Sequence, residues 1–217
     1  MRFEVAAARA ARLPDPLPPY APILMPALAG ERSGERSTRL RSRPAPGHEP
    51  RPAAVLVLLF PGADGDAHTI LIERATHDGH HSGEVSFPGG KAEPGDPDPP
   101  ATALREAEEE VGLDVAGAGV RIVGTLESFW IPVSDFHVTP ILALADAAPA
   151  LAPDPREVAR ILEPPLARFL PSAAITVVER EIDGWALRYG SYEIDGLSVW
   201  GATARILSQL GAVLETG

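Results

Sequence analysis

The sequence predicts an α/β fold with a mixed β-sheet between helices, and three observations support this class. A continuous apolar run, AAVLVLLF, begins at Ala53 and suits a strand that is covered on both faces. Residues 100–111 are typical of a helix with apolar and acidic residues on different sides. Strand-like and helix-like segments intermix without an internal repeat. We therefore expect one α/β/α sandwich domain over residues 51–217, preceded by a helical and arginine-rich extension over residues 1–50.

Composition and charge exclude several classes of protein. The 217 residues suffice for one hydrophobic core, and the absence of cysteine excludes disulfides and Cys-ligated metal sites. No segment reaches the roughly 18 to 20 apolar residues that span a bilayer. The acidic Glu4 lies in an N-terminus without an uninterrupted apolar core, so we expect no secretory signal. The net charge of −11 disfavours nucleic-acid binding. We expect a cytoplasmic protein that binds neither a membrane nor nucleic acid.

The N-terminal extension is predicted to contain a short amphipathic helix, the proline-rich turn LPDPLPPYAP and a short apolar piece. Arginines then cluster between Arg32 and Arg51, interleaved with proline, serine and glycine. Three interpretations of this cluster stay open. A solvated, partly flexible linker is favoured. An anchor for the phosphates of a small ligand comes second, and a nucleic-acid contact third.

The remaining elements follow in order from periodicity and turn residues. The segment TILIER (residues 69–74) is predicted to form a hairpin-like pair with the apolar run, and EVSF a short strand that leads into a Gly89-Gly90 turn. We expect residues 155–170 to be helical, with an interruption at Pro164-Pro165. Further strands are predicted in VRIVGTLESFW, HVTPILALA, AITVVEREI and WALRYGSYEI, the last two joined by a turn at Asp183-Gly184, and a final helix in GATARILSQLGAVLE.

The helix over residues 100–111 has clear boundaries. Asp98 is available as its N-cap, two prolines occupy the first positions, and Gly112 suits the C′ position. Helical spacing puts one apolar set on the side that packs on the sheet: Leu104, Ala107 and Val111. The same spacing gathers an acidic set on the opposite side: Glu106, Glu109 and Glu110. Glu108 falls outside this acidic set.

Three carboxylates on one rigid face suit a hard divalent cation such as Mg²⁺ or Mn²⁺, which prefers oxygen ligands. The alternative is an ordinary exposed acidic helix, since glutamate favours helices and charge runs are usually solvated. The neighbouring residues favour a metal site. A Gly-Gly turn lets the backbone approach a ligand closely. Arg105 stands beside the carboxylates, and Asp96 in the preceding loop is placed to pair with it.

These residues resemble the signature of the Nudix hydrolase family, G-x5-E-x7-R-E-x-x-E-E-x-G followed by an apolar residue. The matching residues are Gly90, Arg105, Glu106, Glu109, Glu110, Gly112 and Leu113. Asp96 replaces the first Glu of the signature, and eight residues rather than seven separate it from Arg105. The resemblance implies a pyrophosphatase with a Nudix-like α/β/α sandwich that uses Mg²⁺ or Mn²⁺. The metal ligands that it implies are Glu106, Glu109, Glu110 and the Gly90 carbonyl, and the residues implied in catalysis are Glu109, Glu110 and Arg105.

The upstream segment LIERATHDGHHSGEVSFPGGK is similar to the extended signature of the coenzyme A pyrophosphatase branch of this family. The matching residues are Arg74, Ala75, His81, Gly83, Glu84, Phe87, Pro88, Gly89 and Gly90, whereas Asp78 and Gly79 replace a Leu-Arg pair. The same branch tends to have the Asp and the extra residue noted above. The resemblance implies cleavage of coenzyme A or its derivatives into 3′-phospho-AMP and (acyl-)4′-phosphopantetheine. It also implies that Arg74 and His81 contact the substrate; the alternative is that both are surface residues of a hydrophilic loop.

Two other functions stay open. One is a Nudix hydrolase that acts on another nucleoside diphosphate derivative, such as NADH, ADP-ribose or a nucleotide sugar. The other is a non-catalytic Nudix-fold module that binds a nucleotide, which we would expect to have lost metal-binding carboxylates. The proton acceptor also stays open among the glutamates of the signature, Glu127, Asp135 and His137. We expect a small-molecule nucleotide as the partner and leave a homodimer open.

Overall fold

The computed structural model describes residues 1–29, 43–75, 83–182 and 185–216. No helix within these ranges is long and apolar enough to cross a membrane. The elements in chain order are α1 (Phe3–Ala10), a 3-10 helix (Pro22–Leu24), β1 (Ala27–Ala29), β2 (Arg51–Pro61), β3 (Ala67–Thr69), β4 (Leu71–Arg74), β5 (Val85–Ser86), β6 (Gly89–Lys91), α2 (Pro99–Val111), β7 (Arg121–Thr125), β8 (Phe129–Ile131), β9 (Phe136–Leu144), β10 (Val158–Leu162), a 3-10 helix (Leu166–Phe169), β11 (Thr176–Ile182), β12 (Trp185–Ile194), β13 (Leu197–Val199) and α3 (Gly201–Thr216).

The strands β2 and β9 lie side by side at the centre of a six-stranded mixed sheet. They pair in parallel, from Arg51 opposite Phe136 to Leu59 opposite Leu144. The other pairs of this sheet are antiparallel. The strand order is β3-β2-β9-β7, with β6 also paired to β2 and β8 to β9. The central pair of this sheet is therefore parallel. The helix α2 lies in the long chain connection between β2 and β9, as a parallel pair requires.

Side-chain alternation along β2 divides the core into two layers. Val57 and Leu59 belong to a layer that contains residues of α1 and α3. Leu56 and Leu58 belong to the layer that contains residues of α2. All four side chains are at most 1% exposed, as predicted for a strand that is covered on both faces. The mixed sheet thus lies between helices, which confirms the predicted α/β/α sandwich.

Two smaller sheets flank the central one. The strands β11 and β12 form the predicted antiparallel ribbon, although the predicted turn at Asp183-Gly184 lies outside the described residues. The segment β1 pairs with β12, and α1 packs beside α3, where Arg9 donates a hydrogen bond to the Leu214 carbonyl. The predicted final helix is confirmed as α3. The boundary near residue 50 between extension and domain stays a prediction.

The segment predicted as one strand over residues 69–74 is divided between two sheets. Thr69 ends β3, which pairs with β2, whereas β4 begins at Leu71 and pairs with β10 and β5. The predicted pair with β2 is therefore confirmed only for β3. The reason is that β6 takes the neighbouring positions on β2, opposite Ala53–Val55. Gly89 and Gly90 consequently lie in a strand rather than in the predicted turn.

The helix predicted over residues 155–170 is wrong. This segment forms β10 and a short 3-10 helix. Pro155 and Pro164 confine any helix to the few residues between them, and so short a helix is not stable in isolation. The backbone of β4 also needs a partner once it has left β2, and β10 supplies it, with Leu162 opposite Leu71. The pairing of β10 with β4 therefore determines the conformation of this segment.

The helix α2 has the predicted ends. The Asp98 side chain accepts a hydrogen bond from the Ala101 N–H at 2.9 Å, which caps the first turn. Gly112 has a φ of +63°, and the Leu113 N–H donates to the Ala107 carbonyl, as in a helix that ends with a left-handed residue. These caps fix where the helix starts and stops, and so fix its glutamates in space.

The apolar side of α2 packs on the sheet as predicted, with a small rotation. Ala103, Ala107 and Val111 are fully buried. Leu104 is only half-buried and packs at the margin of the same layer. The buried side is therefore centred on Ala103 rather than on Leu104, and this rotation turns Glu110 toward β6.

Candidate active site

The strand β6 lies beneath α2 and begins with two glycines. Gly89 and Gly90 of β6 are opposite Val55 and Ala54 of β2. Gly89 has a φ of +150°, a conformation that other residues rarely adopt. A Cβ atom on Gly90 would lie 2.5 Å from Glu106 Oε1. The absence of a side chain on Gly90 therefore gives the Glu106 carboxylate the space that it occupies.

Glu110 is a buried carboxyl group at this strand. Its residue is 1% exposed, and Oε2 accepts a hydrogen bond from the Gly89 N–H at 2.9 Å. Burial raises the pKa of Glu110 to about 7; the charges of Glu106 and Glu157 add to the rise, while Gly89 and Arg74 oppose it. A buried carboxyl with a pKa raised in this way is typical of functional sites.

The three predicted metal ligands differ in exposure. Burial raises the pKa of Glu106, and the guanidinium of Arg105 opposes this rise. The Glu109 side chain is 60% exposed. The prediction that Glu110 lies opposite the packing side is wrong, because the rotation of α2 places it between the helix and β6. Glu108 is exposed, as expected of a residue outside the acidic set.

The predicted ion pair between Arg105 and Asp96 is present. Arg105 Nε and Nη2 each donate to one Asp96 oxygen at 3.1 Å. This contact, with a hydrogen bond from the Glu93 N–H, holds the pKa of Asp96 well below its usual range. Thr102 Oγ1 donates to the same carboxylate at 2.9 Å. The shorter Asp therefore still fastens the loop to α2 despite the extra residue.

Arg105 also contacts two of the predicted metal ligands. Its Nη2 donates to Glu106 Oε1 and its Nη1 to Glu109 Oε2, both at 2.9 Å, and Nη2 reaches the Lys91 carbonyl at 3.1 Å. Arg105 thus orients the carboxylates and joins the loop, the helix and β6. Its guanidinium already bonds to these oxygens, so a direct chemical role for Arg105 stays a prediction.

Of the two predicted substrate contacts, the structure places one. Arg74 Nη1, at the end of β4, lies 3.7 Å from Glu110 Oε1, and its side chain is 30% exposed. His81 lies outside the described residues, as do Asp78 and Gly79. The structure therefore brings Arg74 from the upstream segment to the carboxylates of α2. Its contact with substrate stays a prediction.

Glu157 is a further acidic residue of this region that the sequence did not indicate. Burial raises the pKa values of Glu106 and Glu110, and the negative charge of Glu157 adds to both rises. It immediately precedes β10, and its carbonyl accepts a hydrogen bond from the Ala75 N–H at 2.8 Å, next to Arg74. No local motif marks this residue, because the pairing of β10 with β4 is what brings it here. The proline pattern around residues 155–165, which argues against a helix, is the one available signal.

The three predicted proton acceptors outside the signature, Glu127, Asp135 and His137, contact residues other than the glutamates of α2. Glu127 lies 3.3 Å from Arg205 of α3. Asp135 accepts hydrogen bonds from His48 at 2.8 Å and from the Trp130 ring at 3.0 Å. The hydrogen bond from His48 is the main reason that the pKa of Asp135 lies below its usual value. His137 is exposed on β9, opposite Trp130 of β8. These contacts stabilise neighbouring elements, and a catalytic role for any of the three stays untested.

The donor set around Gly90 fits a hard divalent cation. Carboxylate oxygens of Glu106 and Glu110 lie against a strand whose missing Cβ leaves room beside Glu106, and such oxygens are the ligands that Mg²⁺ and Mn²⁺ prefer. Within the described ranges, no three His, Asp or Glu side chains already stand at metal-ligand spacing. Arg105 is the cation that Glu106 and Glu109 contact here, so these side chains would turn toward a metal on binding it.

The fold and the site together define an α/β/α sandwich protein with an acidic site on its second helix. The chain belongs to the Nudix hydrolase family, since the family model described as NUDIX domain matches residues 50–188. Enzymes of this family generally use divalent metal ions.

The chain is similar to two curated Nudix hydrolases and to one solved structure. Nudix hydrolase 15, mitochondrial, of Arabidopsis thaliana is 39% identical over 76% of this chain and 59% of its own length. The chain thus spans less than two thirds of that plant protein. Nudix hydrolase NudL of Yersinia pestis is 35% identical over 74% of this chain and 78% of its own length. A solved Nudix hydrolase from M. smegmatis, RenU, is 25% identical over 54% of this chain and 72% of that chain, with a TM-score of 0.45.

Proposed function

We propose that this protein is a metal-dependent pyrophosphohydrolase that cleaves coenzyme A or its derivatives. The observation that carries the proposal is the position of Arg74, 3.7 Å from Glu110. Arg74 belongs to the segment that resembles the coenzyme A branch, and Glu110 belongs to the Nudix signature. The two sequence features, 36 residues apart along the chain, therefore meet at one site.

The predicted cation would be held by Glu106, Glu109 and Glu110, with the Gly90 carbonyl as a further ligand. When bound, a divalent cation neutralises pyrophosphate charge and lowers the pKa of bound water. In the proposed reaction the oxygen of water bonds to one phosphorus, and the bond from that phosphorus to the bridging oxygen breaks. The products from coenzyme A are two phosphate monoesters, 3′-phospho-AMP and 4′-phosphopantetheine. One product takes the oxygen of water, the other keeps the bridging oxygen, and the two protons of water go to these monoesters or to solvent.

The residues of the chain have separate tasks in this proposal. Arg74 offers its guanidinium group to the pyrophosphate. The planar set of N–H donors in this group matches the spacing of phosphate oxygens. Arg105 holds the Glu106 and Glu109 carboxylates through its two 2.9 Å hydrogen bonds. Asp96 fixes Arg105 and thereby closes the loop over the start of α2. The group that accepts the proton stays open.

A substrate panel tests the proposal. Coenzyme A, an acyl-CoA, NADH and ADP-ribose are compared at equal concentration with Mg²⁺ or Mn²⁺, and the products are separated by chromatography. We expect the highest kcat/KM for coenzyme A or acyl-CoA, with 3′-phospho-AMP as a product. A clear preference for NADH or ADP-ribose would replace this proposal with the broader Nudix alternative.

A non-catalytic Nudix-fold module is the second alternative. The presence of all three glutamates of the signature disfavours it, since a module without chemistry has no need of a buried carboxyl such as Glu110. The absence of hydrolysis for every substrate of the panel, with binding of a nucleotide retained, would support it. Cytoplasmic location and a homodimer remain predictions.

A further inference from the structure

The face of the central sheet that carries the glutamates continues beyond the part that α2 covers. Ala54 of β2 belongs to the layer of α2, and it lies opposite Gly90 on one side and opposite Thr139 of β9 on the other. Residues that pair across neighbouring strands share a face of the sheet. Along this face of β9, Ile141 is fully buried, Thr139 is half-buried and His137 is exposed. The face therefore opens toward the start of β9.

Trp130 of β8 stands on this open part of the face. It lies opposite His137, which alternation places on the same face as Thr139, two residues further along β9. The Ser128 hydroxyl donates to the Thr139 hydroxyl at 3.3 Å, between Trp130 and the row of Gly90. Three strand spacings of about 4.8 Å put β8 roughly 14 Å from β6. An extended nucleoside diphosphate can bridge such a separation.

The Trp130 ring is held in place by the loop between β8 and β9. Its Nε1–H donates to Asp135 Oδ1 at 3.0 Å, and the same oxygen accepts a hydrogen bond from His48 at 2.8 Å. The Asp135 carbonyl accepts the Arg51 N–H at 3.0 Å, which joins this loop to the start of β2. Trp130 is half-buried, and its one polar atom is already bonded. The exposed part of the ring is therefore rigid carbon surface.

The two other well-placed features of this ring are its lack of a stacking partner and its neighbours. Among the residues that the structure describes, no aromatic ring packs on Trp130, whereas Trp200 packs on Tyr189 with ring centroids 4.8 Å apart. The hydroxyls of Ser128 and Thr139 lie between Trp130 and the glutamates. A flat apolar surface at one end, hydroxyls in the middle and a cation site at the other end match a base, a ribose and a diphosphate in order.

We propose that Trp130 is the stacking surface for the nucleobase of the substrate, the adenine ring in the case of coenzyme A. This inference rests on the proposed function and deepens it, because it assigns one half of the substrate to one side of the acidic site. The adenosine half extends from Gly90 across Ala54 and Thr139 to β8. The pantetheine half then leaves the diphosphate in another direction.

Two ligands that cannot be hydrolysed between their phosphorus atoms test the inference. Adenosine α,β-methylene diphosphate and methylene bisphosphonate share the P–C–P unit, but only the first has a base. The full chain is titrated with each ligand by calorimetry in the presence of Mg²⁺, as wild type, Trp130→Ala and Trp130→Phe. We expect Trp130→Ala to weaken binding of the nucleotide analogue at least about fivefold, as loss of a base stack does, and to leave binding of the bisphosphonate unchanged.

The phenylalanine variant separates stacking from a disturbed loop. Trp130→Phe keeps an aromatic ring but loses the hydrogen bond to Asp135, so it should retain most of the affinity for the nucleotide analogue. Thermal melts check that each variant folds. Val177→Ala shortens an exposed apolar side chain on β11, in a separate sheet, and should bind both ligands like wild type.

Four results would overturn the inference. These are unchanged binding of the nucleotide analogue in Trp130→Ala, equal weakening of both ligands, a Trp130→Phe variant as weak as Trp130→Ala, and a loss of affinity for 4′-phosphopantetheine in place of the nucleotide analogue. The last result would assign the ring to the pantetheine half.

The proposed function can fail separately, because both ligands bind without turnover. Wild type that cleaves coenzyme A while Trp130→Ala binds the nucleotide analogue normally leaves the function standing and removes the Trp130 contact. A base-dependent loss in Trp130→Ala, together with wild type that cleaves neither coenzyme A nor acyl-CoA, retains the contact and removes the function.

Discussion

The helix α2 and the strand β10 both border the carboxylates of the site, but they are specified in different ways. The ends of α2 follow from Asp98 and Gly112, which act within a few residues of the helix. The strand β10 exists because β4 needs a partner, and the two are separated by more than 80 residues along the chain. The sequence next to α2 therefore suffices to predict the part of the site on this helix. The part at β10 depends on the pairing of segments that are distant along the chain.

Removal of the divalent cation should have the largest effect on activity. The predicted ligands lie on α2 and β6, and the buried apolar residues Ala103, Ala107 and Val111 pack α2 on the sheet, so we expect the fold to persist without the metal. We expect excess EDTA to abolish hydrolysis while circular dichroism shows the same helix and strand content. Full hydrolysis in excess EDTA would exclude a mechanism that needs a divalent cation bound by the glutamates of α2.

Substitution of Glu109 should have the next largest effect. Glu109→Gln keeps the size of the side chain but removes a charge that the cation requires, and losses of this kind cost about a hundredfold or more in rate. Thermal stability should change little, because the side chain is 60% exposed and its contact is a surface ion pair with Arg105.

The matched control for Glu109 is Glu108→Gln. Glu108 is exposed on the same helix, and helical spacing places it outside the acidic set. We expect nearly unchanged rates. Equal loss in both variants, or in neither, would mean that helical geometry does not identify which acids of α2 serve the metal.

A methyl group on Gly90 tests the contact between α2 and β6. The added Cβ would lie 2.5 Å from Glu106 Oε1, and the carboxylate, as the end of a long side chain, can move aside. We expect Gly90→Ala to lower the rate by about tenfold to a hundredfold, as small displacements of catalytic groups do, with a small change in melting temperature. Gly95→Ala is the control, because its Cβ would meet nothing within 4 Å. Equal activity of the two variants would argue against a role for the space above Gly90.

The smallest expected effect is a pH dependence of stability in the metal-free protein. Burial raises the pKa of Glu110 from 4.5 to about 7, so the folded state binds this proton more tightly than the unfolded state. The free energy of unfolding should therefore fall as pH rises between these two values, by up to about 3 kcal/mol from this group.

Glu110→Gln should remove that slope, since the amide oxygen can still accept the Gly89 N–H and carries no charge. Urea unfolding at pH 5, 6, 7 and 8 measures the difference. Parallel pH profiles of wild type and variant would contradict the assignment of the slope to Glu110.

The fold and the site could be predicted from sequence to different depths. The strand β2, the ribbon of β11 and β12, and the caps of α2 follow from local patterns, as does the pair of Asp96 and Arg105. The burial of Glu110 could not be predicted, because it depends on a small rotation of α2 and on β6 lying beneath it. The position of Glu157 depends on the pairing of β4 with β10, which no local pattern encodes.

The central claim is that the carboxylates of α2 and Arg74 form one site for a metal-dependent cleavage of coenzyme A. The most direct measurement is the rate of coenzyme A hydrolysis as a function of Mg²⁺ concentration for wild type, Glu110→Gln and Arg74→Ala. We predict saturable activation by Mg²⁺ in wild type, a rate at least about a hundredfold lower in Glu110→Gln at every Mg²⁺ concentration, and an increased KM for coenzyme A in Arg74→Ala. Wild-type rates that do not depend on Mg²⁺, or unchanged kinetics in both variants, would contradict the claim.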